Sequence, residues 1–109
     1  RPIVGPVLQT PFAVIDAGSI SKDDFIPIDL VYTDRVGQIY MVRNNPKHRW
    51  LYLSEMQDTE VMLLKCFDSD LAVPARFTAH SAFELPPPPA DAEPLQGRQS
   101  IEVRTLVFY

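Results

Sequence analysis

The sequence predicts a mainly β protein, an antiparallel sandwich or barrel, and three observations lead to this prediction. Eleven prolines divide the 109 residues into short segments, and each proline inside a helix would cost about 3 kcal/mol. Apolar runs of strand length alternate with turn sequences rich in Gly, Pro, Asn and Asp. Few windows are long enough for a helix of several turns. Short strands joined by turns therefore account for most of the chain.

Three strands are expected in the first half of the chain. Phe12–Ile15 is an apolar run that ends at an Asp-Ala-Gly turn sequence. Gln38–Val42 is rich in β-forming residues and is followed by Asn-Asn-Pro, a turn signal. Trp50–Leu53 is aromatic and aliphatic, which also favours a strand.

A helical turn is expected only between Ser19 and Asp29. Ser21 is suited to the N-cap, because a serine hydroxyl accepts a hydrogen bond from the free backbone N–H groups of a first turn. Asp23 and Asp24 would lie in that first turn, where acidic side chains interact favourably with the helix dipole.

The second half predicts three more strands. Val61–Phe67 is an apolar run of buried-strand length, and its Cys66 is interpreted as a small buried hydrophobic residue. Phe77–Phe83 is a weaker strand that carries His80. The proline block Pro86–Pro89 is expected to form an extended polyproline II connector. Ile101–Phe108 shows the clearest strand pattern, with β-branched and aromatic residues.

These strands make about six, whereas a closed double-layer barrel needs roughly eight. The chain also starts abruptly at Arg1 and stops directly after an apolar run at Tyr109. We therefore expect residues 1–109 to form one portion of a longer domain.

Composition narrows the function classes. The net charge is −4 at pH 7 and the pI is about 5.0, so a nucleic-acid-binding surface is not expected. The sequence contains neither an apolar run long enough to cross a bilayer nor a signal peptide, so no membrane partner is expected. A single cysteine excludes an internal disulfide and fits a reducing, cytoplasmic setting.

The two histidines, His48 and His80, are the candidate metal ligands. His80 lies near the end of a predicted strand, from which an imidazole can reach the mouth of a barrel. The alternative for His80 is a surface or half-buried histidine held by a hydrogen bond. His48 is the rival ligand, and its alternative is a turn histidine next to Trp50.

Arg98 follows His80 at the start of the last predicted strand. A neutral imidazole binds Fe(II), and a guanidinium donates two parallel hydrogen bonds to a carboxylate such as that of 2-oxoglutarate. Neither histidine belongs to a His-x-Asp or His-x-Glu pair, which would supply two of the three ligands of a facial triad. These residues therefore do not form a complete iron site in the usual pattern.

An ordered series of short motifs runs along nearly the whole chain. It consists of Arg1–Ile3, Gly5–Val7, Pro11–Ala17, Asp29–Tyr32, Asp34–Gly37, Asn45–Pro46, His48–Trp50, Tyr52, Glu60–Val61, Leu63–Lys65, Phe67–Ser69, Ala75–Phe77, His80, Ala82–Phe83, Arg98, Ser100–Arg104 and Leu106–Phe108. This series resembles the AsaB-type hydroxylase/desaturase family, which also includes gibberellin-desaturase-like enzymes and CmcJ-type proteins of cephamycin methoxylation. The resemblance covers only the C-terminal part of the family.

The resemblance implies the C-terminal half of a double-stranded β-helix, a cupin-like jelly roll, in an enzyme that uses Fe(II), 2-oxoglutarate and O₂. It implies that His80 is the distal metal ligand, with His48 as the other possibility. Arg98 would bind the co-substrate, with Arg104 as the alternate. Family members carry a His-x-Asp segment upstream, so this chain alone is expected to be an inactive fragment.

The expected reaction is hydroxylation or desaturation of a small-molecule secondary metabolite. Two alternatives stay open: a truncated, non-catalytic β-sandwich, and a CmcJ-like protein of the kind labelled with methoxylation or methyl transfer. A non-enzymatic binding module would show no dependence on metal. The sequence leaves the substrate, the choice between hydroxylation, desaturation and endoperoxide formation, and the oligomeric state open.

Overall fold

The computed structural model describes residues 1–108, and its regular structure is mostly strand. Two 3₁₀ helices, Ala17–Ser19 and Lys22–Asp24, contribute three residues each. Within residues 1–108, no helix has the length and apolar character needed to cross a membrane. The prediction of a mainly β protein is confirmed. The strands are β1 (Phe12–Ile15), β2 (Phe25–Val31), β3 (Val36–Val42), β4 (Trp50–Tyr52) and β5 (His80–Ala82).

Strand β1 is the centre of an antiparallel three-stranded sheet with the order β4-β1-β5. Val14 of β1 lies opposite Leu51 on one side and opposite His80 on the other. The pairing continues past the strand end, because the backbone N–H of Ile15 donates to the carbonyl of Ala79 at 3.0 Å. A strand with neighbours on both sides has most of its backbone groups satisfied, so β1 is the most firmly held strand of this sheet.

The core lies against one face of β1. Ala13 and Ile15 are buried, while the two other side chains of this strand are half-buried. This alternation follows from the two-residue period of a strand. Pro2, Val7 and Pro11 before β1 and Met56 after β4 are also buried, and the N–H of Val7 donates to the carbonyl of Met56 at 3.0 Å. The opposite face of the sheet carries the half-buried Phe12 and Val14 and the exposed His80, and we call it the open face.

Strands β2 and β3 form a separate antiparallel hairpin, paired from Phe25 opposite Val42 to Val31 opposite Val36. The hairpin accommodates Pro27, because each strand of a two-stranded sheet has one free edge where a missing N–H breaks no ladder bond. The helical turn expected between Ser19 and Asp29 is confirmed as the 3₁₀ helix Lys22–Asp24, and the residues from Phe25 onward form β2 instead.

The N-cap prediction at Ser21 is confirmed. The Ser21 hydroxyl accepts a hydrogen bond from the N–H of Asp23, and the Asp24 carboxylate accepts one from the N–H of Ser21 at 2.9 Å. These reciprocal bonds form a capping box around a single 3₁₀ turn. The turn ends at Asp24, and the chain enters β2 directly.

Two predicted strands, Val61–Phe67 and Ile101–Phe108, are wrong, since neither forms a strand in the described part of the chain. Their apolar side chains are largely exposed, with Leu63 at 91% and Phe108 at 90%. Cys66 is exposed as well, contrary to its predicted burial. High β-propensity describes side chains that pack on a pleated, half-buried surface, and it needs a neighbouring strand to take effect. Within residues 1–108 neither segment pairs with a strand, and only isolated backbone bonds reach them, from Thr78 to the Lys65 carbonyl and between Ile101 and Arg1.

Candidate functional site

His80 lies on the open face of the three-stranded sheet. It pairs with Val14 of β1, and residues directly opposite each other in an antiparallel pair point to the same face. Phe12 shares that face, because it is two residues before Val14 on the same strand. The buried residues Ala13 and Ile15 point to the other face. The imidazole of His80 is consequently exposed rather than part of the core.

A backbone carbonyl holds the His80 ring in one tautomer. The Nδ1 atom lies 2.9 Å from the carbonyl oxygen of Thr78, and a carbonyl only accepts hydrogen bonds, so Nδ1 carries the proton and donates it. In the neutral imidazole the lone pair is then on Nε2, and the residue is exposed. Metal-binding histidines have this arrangement, with one ring nitrogen donating to a backbone carbonyl or carboxylate and the other facing the ion.

Phe12 contacts both His80 and Arg98. Its ring centroid lies 5.2 Å from that of His80 at an interplanar angle of 33°, and the Arg98 Cζ lies 5.8 Å from the Phe12 ring centroid. The structure thus brings together the two sequence-predicted residues around a third that sequence reasoning missed. The signal that could have identified Phe12 is the two-residue alternation along β1, which places it on the face opposite the core positions.

Arg98 is half-buried, and its guanidinium makes no hydrogen bond or ion pair with any residue from 1 to 108. Arg104 differs, because its guanidinium lies 3.5 Å from the Glu102 carboxylate and both side chains are strongly exposed. Arg104 also makes no ring contact with Phe12 or His80 within the described residues. Of the two arginines, Arg98 has the free donors on the side of the molecule that carries His80.

His48 lies in a different environment. Its Nε2 atom is 3.0 Å from the Asp24 carboxylate, and the two side chains are only 4% and 9% exposed. The side-chain amide of Asn45 also donates to Asp24 at 3.3 Å. Asp24 therefore accepts bonds from the Ser21 backbone, His48 and Asn45 together. This buried network joins the capping turn before β2 to the loop between β3 and β4.

The network lowers the pKa of Asp24 below its ordinary value of 3.8. The hydrogen bond from His48 is the largest cause, followed by the backbone N–H of Ser21, while partial burial acts in the opposite direction. A carboxyl whose pKa is lowered by folding stabilises the fold when it is ionised. This contribution is fully present above pH 3.8 and is lost as the pH falls below 3.8 through the folded-state pKa.

We predict that Asp24→Asn removes this acid-dependent part of the stability. The variant should have a lower Tm at neutral pH, because the charged hydrogen bonds to His48 and Ser21 are weakened, and its Tm should fall less on acidification. Thermal unfolding of the full-length protein between about pH 6 and pH 2.5 covers the range in which an aspartate titrates. Asp23→Asn is the matched control, since Asp23 is the exposed neighbour. An unchanged acid slope in Asp24→Asn would contradict the assignment.

Within residues 1–108, no three or more His, Cys, Asp or Glu side chains lie together in a way that could hold a metal ion. His80 can therefore contribute one donor to a metal site but cannot complete it with described residues. A cavity of about 270 Å³ lies elsewhere, between the loop before β1 and the proline segment. It is lined by Leu8, Gln9, Thr10, Glu84, Leu85, Pro86, Pro87, Pro88 and Leu95.

Comparison with known proteins places this chain among oxidoreductases. A family model described as an oxidoreductase/YMDC permease-like domain matches residues 1–108. The Fe(II)/2-oxoglutarate-dependent dioxygenase NvfI of Aspergillus novofumigatus is 38% identical over 110 residues, covering 99% of this chain and 38% of that protein. The hydroxylase/desaturase AsaB of Aspergillus flavus is 34% identical over 119 residues, covering 95% of this chain and 51% of that protein. The chain thus spans about half or less of the length of these relatives.

A solved structure shows the same likeness in three dimensions. The iron and alpha-ketoglutarate-dependent endoperoxidase NvfI matches with a TM-score of 0.75 at 35% identity, over 90% of this chain and 36% of that one. Alpha-ketoglutarate is another name for 2-oxoglutarate. The mainly β, double-stranded β-helix class expected from the sequence is confirmed by this likeness.

Proposed function

Because this chain belongs to the AsaB-type hydroxylase/desaturase family and matches the oxidoreductase/YMDC permease-like domain over residues 1–108, we propose that it forms part of the active site of an Fe(II)- and 2-oxoglutarate-dependent oxygenase. The substrate in this proposal is a small-molecule secondary metabolite, and the setting is the reducing cytoplasm. Bound Fe(II), together with 2-oxoglutarate and O₂, would supply the oxidising chemistry for hydroxylation or desaturation of an unactivated carbon.

The observation that carries the proposal is the state of His80. Its Nδ1 atom donates to the Thr78 carbonyl, so its Nε2 atom has a lone pair, and the ring is exposed on the open face of the sheet. This arrangement suits a metal ligand. The Nε2 atom of His48, in contrast, is occupied by the buried Asp24 carboxylate. Only the Nδ1 atom of His48 is left for a metal ion, and that side chain is 4% exposed, whereas His80 is exposed, so His80 is the better candidate.

Arg98 is proposed to bind the distal carboxylate of 2-oxoglutarate. The residue is half-buried, and its guanidinium has no hydrogen-bonding partner among residues 1–108, so its N–H groups can donate two parallel hydrogen bonds to a carboxylate. In this role Arg98 would fix the orientation of the co-substrate next to His80. Arg104 is the alternate, and its exposed contact with Glu102 makes it the less suitable of the two.

The remaining metal ligands would come from outside the described residues, since none of these forms a three-residue cluster with His80. We therefore propose that residues 1–109 form the C-terminal portion of one oxygenase domain. The open face of the sheet and the exposed apolar segments 61–67 and 101–108 would then pack against the rest of that domain. The same exposed segments also favour a second candidate, a truncated and non-catalytic β-sandwich.

An anaerobic titration separates the two candidates. We expect the full-length protein with Fe(II) and 2-oxoglutarate to develop a weak visible charge-transfer band, because the keto acid chelates the metal through its keto oxygen and one carboxylate. Succinate is the matched control, since it has no keto oxygen and should give no band. If 2-oxoglutarate also gives no band in the wild-type protein, the oxygenase proposal is wrong and the non-catalytic sandwich stands.

A further inference from the structure

Phe12 is the side chain that connects the two candidate binding residues. It contacts the His80 ring at 5.2 Å and the Arg98 guanidinium carbon at 5.8 Å. These two residues come from different parts of the chain, since His80 lies on β5 and Arg98 follows the proline segment. Phe12 itself bears no group that could bind a metal or a carboxylate. Its effect on the site must therefore act through its two neighbours.

The backbone around Phe12 is held firmly. Phe12 lies opposite Ala82 in the central strand, and the N–H of Phe83 donates to the carbonyl of Pro11 at 3.2 Å. Pro11, directly before Phe12, is fully buried, and Ala13, directly after it, is buried in the core. A side chain attached to such a backbone has few positions available. The ring is consequently a fixed surface against which more mobile groups can rest.

Contact with the Phe12 ring matters more for restraining the Arg98 side chain than for restraining the His80 ring. The His80 ring has its own restraint in the hydrogen bond to Thr78. The guanidinium of Arg98 has no hydrogen-bonding partner among residues 1–108, so the Phe12 ring is the contact that restrains it there. An aromatic face attracts a guanidinium but accepts none of its strong hydrogen bonds. All five N–H donors of Arg98 therefore remain available to a carboxylate.

From these contacts we propose that Phe12 is a positioning residue that places the Arg98 guanidinium beside the His80 imidazole, so that the co-substrate carboxylate and the metal ion bind at a fixed spacing. This inference rests on the function proposed above, because it assigns a role to the same site. Phe12 would contribute to the affinity for 2-oxoglutarate without touching it.

The test is a double-mutant cycle in the full-length protein. Phe12→Leu keeps an apolar side chain on β1 but removes the aromatic face. We expect it to raise the Kd of 2-oxoglutarate for the Fe(II)-loaded, anaerobic protein about 2- to 5-fold, the range for loss of one cation–π contact. In an Arg98→Gln background the same change should have almost no further effect, because the group that Phe12 positions is gone. Phe12→Tyr keeps the aromatic face and should restore the affinity.

A readout without metal or co-substrate gives independent evidence. The side-chain protons of Arg98 should show ring-current-shifted NMR signals in the metal-free protein, and Phe12→Leu should move them towards ordinary values while Phe12→Tyr leaves them shifted. Additive effects of Phe12→Leu and Arg98→Gln on the Kd would overturn the positioning role while the wild-type band still supports the oxygenase. Absence of that band in the wild-type protein would overturn both proposals. Thermal unfolding of each variant verifies that the folded protein is being compared.

Discussion

Replacing His80 with alanine in the full-length protein is expected to abolish the charge-transfer band formed with Fe(II) and 2-oxoglutarate. The reason is that the proposed iron site would lose one of its metal ligands. Removing a partner that merely orients a ligand costs about 10- to 100-fold in metal affinity, so removal of the ligand itself should exceed about 100-fold. Anaerobic Fe(II) titration, followed by visible absorption, measures the loss directly. The Tm should change little, since His80 is exposed and its side chain leaves no cavity.

His48→Ala is the matched control for that experiment, because it removes the other histidine of the chain. It should keep the band and lower the Tm, since the buried carboxylate of Asp24 loses its bond at 3.0 Å. The opposite pattern, a band lost in His48→Ala and kept in His80→Ala, would move the metal ligand to His48. Loss in both variants together with normal folding would show that the two histidines act jointly.

Replacing Arg98 with glutamine is expected to weaken 2-oxoglutarate binding while Fe(II) binding stays nearly unchanged. A hydrogen bond to a charged group contributes about 1.5–3 kcal/mol, which corresponds to a rise in Kd of roughly 10- to 150-fold. Arg98→Lys should lie between the wild type and Arg98→Gln, because lysine keeps the charge but lacks the planar fork that matches a carboxylate. Titration of the Fe(II)-loaded protein with 2-oxoglutarate under argon provides the Kd values.

Arg104→Gln serves as the control for Arg98, since it removes the same charge from an exposed position paired with Glu102. Its Kd for 2-oxoglutarate should stay within about twofold of the wild type, as expected for a loose surface ion pair. If Arg104→Gln weakens binding and Arg98→Gln does not, the carboxylate-binding role belongs to Arg104.

The local sequence pattern was sufficient to predict the strands that pair with another strand of this chain. Phe12–Ile15 matches β1 in full, and the strand predicted at Trp50–Leu53 is β4 with one residue fewer. The strand predicted at Gln38–Val42 begins two residues earlier, as β3 from Val36. In Phe77–Phe83 only the three residues of β5 are strand. Strand ends depend on where the neighbouring strand stops, which local propensity does not record.

The misses have two physical causes. Strand β2 was not predicted, because the acidic residues before it indicated a helical turn; that turn ends at Asp24, and pairing with β3 decides the conformation of Phe25–Val31. In Val61–Phe67 and Ile101–Phe108 the propensity is present but the neighbouring strand is not, among the described residues. In both cases, residues that are distant in sequence decide whether the segment forms a strand.

The candidate site was predictable in its residue types but not in its arrangement. Histidine and arginine are recognisable in any sequence as groups that bind metals and carboxylates, and His80 and Arg98 were identified in this way. Phe12 and Asp24 were missed as functional or network residues, because their importance comes from contacts with residues more than 20 positions away. Such contacts follow from strand pairing, which a single sequence does not specify.

The central position of β1 also has a consequence for synthesis of the protein on the ribosome. Both of its partners emerge after it, and Phe12 lies about 70 residues ahead of Ala82, its partner in β5. At a translation speed of about 5–20 residues per second, roughly 4–14 s separate the appearance of these two residues. During that time β1, the most firmly held strand of the finished sheet, has an unpaired edge. The contact between Phe12 and the His80 ring has not yet formed. The candidate site is thus assembled late, after most of this chain has been translated.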